Sequence, residues 1–404
     1  IGSNTSDKDP VVFYDYNVPD RMYRGVSYNG SAARIHMLMD KLGEPAFWKG
    51  ISDFLKKHEY QAVNTEQFFD SMIASTGVDL TRFKDQWFYA RGIPTVGAEL
   101  EDGVMNFTQT EPHFDLEISV WIWNDGWTVK TVELTGATAK LEVGEGTPLI
   151  DPETRVMMRV NRSPLLPADV AFEAWARTES VTVKNTMLGR LRRYSDTEAL
   201  AKLIMAETNA RLQSQLVRNI SQDQIADVMT LAQHENGTVA NAAVSRLGSL
   251  DPTDESLEVL SMISVTHSNP RIRCNALEQL FKHTGDEALI ARAWLTPAPN
   301  ECFRTFALRW YVRNKPEHGR NLCLSEIYNP TNGTLRRAAI QHLGQLKDLP
   351  GQRTVYQALV KVAKENSYRG RAAAFNALAS YGDPAAIAVM RPMIGSGHQR
   401  LSGL

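Results

Sequence analysis

Five segments in the second half of the chain repeat one pattern. Ala243 to Leu247, Ala276 to Leu280, Ala307 to Tyr311, Ala339 to Leu343 and Ala374 to Leu378 each set a small residue four positions before a large one. The alanines stand 33, 31, 32 and 35 residues apart, and weaker copies begin at Met187 and Leu216. A period near 32 with small and large apolar positions in register is the mark of stacked helix pairs. No single pair can bury its own apolar face, so successive copies must pile into a solenoid. Arg273, Arg304, Arg336 and Arg371 each precede the pattern alanine by three. An arginine recurring on one face is expected to tie neighbouring repeats together through Asp side chains or carbonyls rather than to bind a ligand. Residues 180–404 therefore read as an α-helical repeat domain.

The text upstream changes character twice. Residues 1–20 are polar and rich in turn formers. From Ser31 to Ala90 the apolar positions take helical spacing: Ala32, Ala33, Ile35, Leu38, Met39 and Leu42 form one face. Pro45 suits the first turn of a second helix whose apolar face is Phe47, Trp48, Ile51, Phe54 and Leu55. Asn64 followed by Gln67 predicts a capping box before a third helix. Asp79 opens a short helix carrying Phe83, Trp87 and Phe88, and Gly92 with Pro94 ends the block. From Thr95 the period falls to two. Leu116, Ile118, Val120 and Ile122 alternate with Glu117, Ser119, Trp121 and Trp123, and Asn124-Asp125-Gly126 is a hairpin turn. The expected architecture is mixed and mainly α: helices over 1–94, a small β-sandwich over 95–165, and the repeats.

Composition narrows the function classes. The chain has 404 residues, 44 of them basic and 46 acidic, so no global positive field draws it to nucleic acid or an anionic membrane. No apolar run reaches the roughly 18 residues that a membrane span needs. Cys274, Cys302 and Cys323 are too few and too scattered for a disulfide framework or a metal motif. They fit a cytosolic chain without excluding an exported one. No two of the nine histidines stand three to five apart, so the sequence holds no H-E-x-x-H. Phosphate-binding glycine loops and G-x-S-x-G are absent as well.

One stretch carries a family signature. Ser27-Tyr28-Asn29-Gly30-Ser31-Ala32 is followed by His36-Met37-Leu38, by Leu42-Gly43-Glu44 with Phe47-Trp48-Lys49-Gly50, and by Asn64-Thr65-Glu66-Gln67-Phe68. Asp79-Leu80, Phe83, Gln86-Trp87-Phe88 and Gly92-Ile93-Pro94 complete it. This ordered set resembles the second half of the catalytic domain of the aminopeptidase N family of zinc (gluzincin) peptidases: Y-x-K-G-A/S, L-G-x-x-x-F-x-x-G, A-T-x-x-D/E-F, D-L-x-x-F-x-x-W and G-x-P. The third region resembles HEAT-type repeats.

The resemblance implies a fold in which these helices complete a thermolysin-like catalytic domain, and a parent protein that cleaves N-terminal residues from peptides with zinc. It implies that Tyr28 donates a hydrogen bond to the oxyanion, since a phenol keeps its proton at neutral pH. Tyr23 is a further candidate for the pocket wall. Asn29 is read as standing at the motif lysine. The zinc motif, its third glutamate ligand and the residues that recognise the substrate amine belong upstream of Tyr28, where only 27 residues precede it. With Ile1 in place of a methionine, the chain reads as a processed form or a piece of a longer protein. It is expected to bind no zinc at a family site and to be inactive alone. It should also expose apolar surface to a missing N-terminal part, a companion chain or another copy. The alternative is a non-catalytic peptidase-like scaffold whose helical repeats bind a protein partner.

Overall fold

The computed structural model describes residues 9–14, 25–329, 333–346, 349–365, 368–381, 386–388 and 391. The chain divides into two compact units between Ser195 and Asp196.

The first unit opens on a π-helical turn, Val26–Gly30, that runs directly into α1 (Ser31–Leu42). α2 (Glu44–Lys57), α3 (Thr65–Thr76) and the short α4 (Thr81–Lys84) follow, and a second π-helical turn, Asp85–Tyr89, continues α4. The local signals act as their chemistry requires. Gly43 takes φ 77° between α1 and α2, and Pro45 sits in the first turn of α2. Asn64 Oδ1 accepts from the Gln67 N–H at 3.0 Å while Gln67 Oε1 accepts from the Asn64 N–H at 2.9 Å, so two otherwise orphaned donors of α3 are satisfied. α2 and α3 approach closely because Gly50 has no side chain. A Cβ there would meet Met72 Sδ and Cε at 2.7 Å. The buried stripe of α2 is narrower than its sequence implies. Phe47 is buried, but Trp48 is 55% and Leu55 61% exposed. These two, seven residues apart, lie along one line of the helix beside the stripe.

Seven strands follow. β1 (Thr95–Glu101), β2 (Val104–Gln109), β5 (Thr138–Glu142) and β7 (Arg159–Arg162) form one sheet in the order β5-β2-β1-β7. β3 (Leu116–Trp123), β4 (Trp127–Leu134) and β6 (Thr147–Ile150) form the other, in the order β4-β3-β6. Only the β1–β7 pairing is parallel among these. The period-two reading of β3 holds: Leu116, Ile118, Val120 and Ile122 are all buried. The turn after it places Asp125 at φ 53° and lets the Asn124 N–H donate to Gly126 O at 3.0 Å. Val96, Ala98, Met105 and Phe107 from one sheet and Ile118, Val120 and Leu134 from the other share a single core with Leu38, Phe69, Met72 and Trp87 of the helical block. α5 (Ala168–Ala176) and α6 (Val181–Leu191) close the unit.

A buried carboxylate organises the loop after β6. Asp151, at φ 40° and 6% exposed, accepts from the Arg155 N–H at 3.0 Å and the Val156 N–H at 2.9 Å. Burial pushes its carboxyl up to about 6, against the lowering effect of those two bonds.

The second unit is helical. α7 (Thr197–Ala206), α8 (Ala210–Leu216) and α9 (Ile225–Ala232) precede α10 (Gly237–Leu247), α11 (Asp254–Thr266), α12 (Pro270–Thr284), α13 (Glu287–Leu295) and α14 (Cys302–Asn314). α15 (Pro316–Glu326), α16 (Thr334–Gln345), α17 (Gln352–Ala363) and α18 (Tyr368–Tyr381) complete it. The five pattern alanines fall on α10, α12, α14, α16 and α18, and each is 0% exposed. These helices stack on one another, α10 on α12, α12 on α14, α14 on α16 and α16 on α18. The small residue is what permits that approach.

Three of the four recurrent arginines make contacts within the stack. Arg336 donates from Nε to Ile327 O at 2.6 Å and from Nη2 to Glu365 Oε2 at 2.5 Å. Arg304 pairs with Glu326 and lies 4.5 Å over the Trp294 ring. Arg273 stands 5.9 Å from the Phe303 ring. Glutamates and aromatic faces thus take the place expected for Asp.

Two outcomes follow. Gly344→Ala puts a Cβ 2.8 Å from Ala377 Cα, so denaturant unfolding should show a loss of about 1–3 kcal/mol from overpacking between α16 and α18. For Asp151, the folded carboxyl near 6 lies above its ordinary 3.8. Between those values the folded state binds more protons than the unfolded state. That contribution is complete below about 3.8, and it fades as pH rises through about 6. The denaturation midpoint should carry this component in the native chain and lose it in Asp151→Asn, as read from midpoints at a series of pH values.

Candidate functional site

Tyr28 lies on the π-helical turn at the entrance to α1, with its side chain 59% exposed. The wide turn is closed by the Gly30 N–H donating to Gly25 O at 2.9 Å and by Ser31 Oγ donating to Val26 O at 3.1 Å. Such single wide turns recur at functional positions in helices because they redirect one side chain without ending the helix.

Counted residue by residue from Tyr28, the family motif aligns differently from the first reading. Asn29 takes the variable position, Gly30 stands at the lysine, Ser31 at the glycine and Ala32 at the closing small residue. The missing side chain at Gly30 is filled from the next turn. Arg34 is 3% exposed, and its Nη1 donates to Gly30 O at 3.0 Å. A Cβ on Gly30 would lie 3.0 Å from that same Nη1. Burial lowers the Arg34 guanidinium to about 10, still well above neutral pH, and its Nε has no hydrogen-bond partner. A positive charge therefore stands beside the tyrosine turn although the lysine itself is gone. Sequence reasoning missed Arg34 because it compensates from one turn away. Tyr23 lies outside the described residues.

Two cavities open elsewhere in the first unit. The larger, about 540 Å³, is walled by Met37 and Lys41 of α1, by Phe83 and Trp87, by Ser119 and Trp121 on the outward face of β3, and by the Asp151 loop. Its polar wall includes Arg155, whose Nε donates to Glu153 at 2.8 Å, and Ser119, whose buried Oγ has no partner. With no base against it, Ser119 is not an activated nucleophile. The smaller, about 300 Å³, shares Met37, Glu153 and Arg155 and adds His36 and Thr182. Tyr28 lines neither. The larger cavity escaped sequence reasoning because its walls come from five separated segments, Val129 and Thr131 of β4 among them.

Zinc needs three or four clustered His, Cys, Asp or Glu donors. Among the described residues no three such side chains group within reach of one metal ion. The described residues offer no donor set that fits the metal the family resemblance implies. Among the described residues, no helix is long and apolar enough to cross a membrane.

Comparison with known proteins agrees with this reading at the level of family resemblance and fold. Residues 4–87 match the peptidase family M1 domain, and residues 324–401 match HEAT repeats. Aminopeptidase M1 of Arabidopsis thaliana is 29% identical over 91 residues, 22% of this chain and 10% of that protein. Aminopeptidase N of Lactococcus lactis is 29% identical over 86 residues, 21% of this chain and 10% of that protein. The mitochondrial aminopeptidase 2 of Saccharomyces cerevisiae is 30% identical over 84 residues, 21% of this chain and 9% of that protein. Legionella pneumophila aminopeptidase A, solved in complex with aspartic acid, superimposes with a TM-score of 0.53 at 13% identity, over 94% of this chain and 50% of that one. The match thus spans about a tenth of the curated relatives and half of the structural neighbour. The chain is M1-aminopeptidase-like in its first helices and in its overall fold, and it carries HEAT-like repeats toward its end.

Proposed function

We propose that this chain contributes to a zinc-dependent aminopeptidase that removes N-terminal residues from peptides, with Tyr28 as its oxyanion donor. The observation that carries the reading is the presentation of Tyr28. Its phenol is exposed on a wide helical turn, at the tyrosine of an ordered family motif, and the buried cation of Arg34 donates to Gly30 O on that same turn. In that role the phenol donates a hydrogen bond to the peptide carbonyl oxygen as water attacks the carbon and negative charge develops. The donor is most valuable where water is excluded and its direction is fixed in advance.

The described residues supply no zinc donor set, so the reading assigns the metal ligands, the general base and the amine-recognising groups to polypeptide outside this sequence. By itself the chain then binds no zinc at a family site and hydrolyses no peptide. Trp48 and Leu55, exposed two turns apart along one line of α2, suit burial against such polypeptide, and the repeat unit suits a protein partner.

Two assays test this. The purified 404-residue chain should show no stoichiometric zinc by elemental analysis and no release of amine from aminoacyl-anilide substrates. In a longer natural form that includes H-E-x-x-H, Tyr28→Phe should lower kcat by roughly 100- to 1000-fold with KM little changed. Stoichiometric zinc in the short chain, or an unchanged kcat for Tyr28→Phe, would sink the reading. A natural form with no zinc motif and no hydrolysis would favour the scaffold alternative instead.

A further inference from the structure

Two cysteines that look unrelated in sequence meet between neighbouring repeats. Cys274 lies in α12 and is 4% exposed, while Cys302 is the first residue of α14 and is half-buried. α12 packs directly on α14. Cys302 Sγ lies 3.5 Å from Pro270 O, the carbonyl one helical turn before Cys274 on the same face of α12. Arg273 and Phe303, the neighbours of the two cysteines, also meet, at 5.9 Å. Each thiol shifts the titration of the other, Cys274 upward and Cys302 downward. The residue before Cys302, Glu301, takes φ 54°, so α14 is entered through a left-handed kink rather than a preceding helical turn.

The geometry points to a dithiol that closes into a Cys274–Cys302 disulfide on exposure to a small-molecule disulfide such as oxidised glutathione, stapling two consecutive repeats. The two thiols are unequal in a way that orders the chemistry. Cys302 is held below the ordinary thiol range, first by the hydrogen bond from the Cys274 S–H and then by the backbone N–H groups of Phe303 and Cys302 at the start of α14. Cys274 is held above that range by the same bond and by burial. Glu278 Oε1 lies 3.8 Å from Cys274 Sγ, and burial raises its carboxyl, which suits it to take up a proton.

The Cys302 thiolate attacks one sulfur of glutathione disulfide. That S–S bond breaks, one glutathione leaves as thiolate, and a mixed disulfide remains on Cys302. Cys274 gives its proton to Glu278 and attacks Cys302 Sγ, and the second glutathione leaves and is protonated. Two protein thiols lose two electrons and two protons, and one glutathione disulfide becomes two glutathione thiols. Cys323, 0% exposed and raised to about 12 by burial, takes no part.

The test is peptide mapping of the full chain after incubation with oxidised glutathione and blocking of the remaining thiols. Trypsin should release residues 274–282 joined to residues 293–304, lighter than the two peptides by two hydrogens and separated by dithiothreitol. Tm should rise by about 2–5 °C on oxidation and return on reduction. In the reduced chain, alkylation of Cys302 should outpace that of Cys274 and Cys323 by ~10-fold or more. In Cys302→Ser, a position that is only half-buried, Cys274 should stay reduced. A stable glutathione adduct on Cys302 with Cys274 still free overturns the proposal. So does linkage only between two copies of the chain, or the absence of any oxidation. Since the native sequence alone can yield each of these results, a variant that fails to fold leaves the conclusion standing on the peptide map.

Discussion

The indole of Trp87, 1% exposed, packs against Phe83 of its own helical segment and against Phe114 at the entrance to β3, with ring centroids 4.8 Å apart in the second contact. Around it, Phe54, Phe68, Phe69 and Phe88 run edge to face from α2 through α3 to the second π-helical turn. Aromatic rings bury large areas and favour these tilted contacts. Here they join helices and sheets into one core rather than two abutting ones. α1 packs on that core through Leu38, and the wide turn presenting Tyr28 is the N-terminal continuation of α1. The position of the candidate donor is therefore set by packing well away from it.

The second unit rests on a different constraint. Its repeats have no long-range sheet to fix them, so the close approach of successive second helices must be built into each copy. The fully buried alanines supply it, and arginines such as Arg304 and Arg336 tie the copies through charge-assisted bonds. The same closeness brings Cys302 to Cys274. A sequence separation that argued against pairing becomes direct proximity once the helices stack, because the period of the repeat returns the chain to its own neighbour.

Much of this was legible in the amino-acid order because it depends on local chemistry. The Asn64–Gln67 cap, the turn at Asp125 and the alternation in β3 act within a few residues of themselves, and the repeat alanines declare themselves by their period. They appear in the structure as their spacing predicts. The family motif run was legible for the same reason. Helix width was harder to read. Trp48 and Leu55 fit an apolar face by period, but a period does not say how much of that face a neighbour covers.

What the sequence by itself determined is the set of elements: helices, then strands, then paired helices, with a tyrosine at a motif position and no zinc motif. Tertiary structure alone decided how distant residues combine. It buried the Arg34 guanidinium one turn from Gly30, where the motif lysine is missing, and walled a cavity from five separated segments. It also buried Asp151 until its carboxyl rose, and brought Cys302 of one repeat against the helix that carries Cys274 in the adjacent one. Each of these depends on burial or on contact between segments far apart in the chain, and neither is encoded by the spacing of residues along one element.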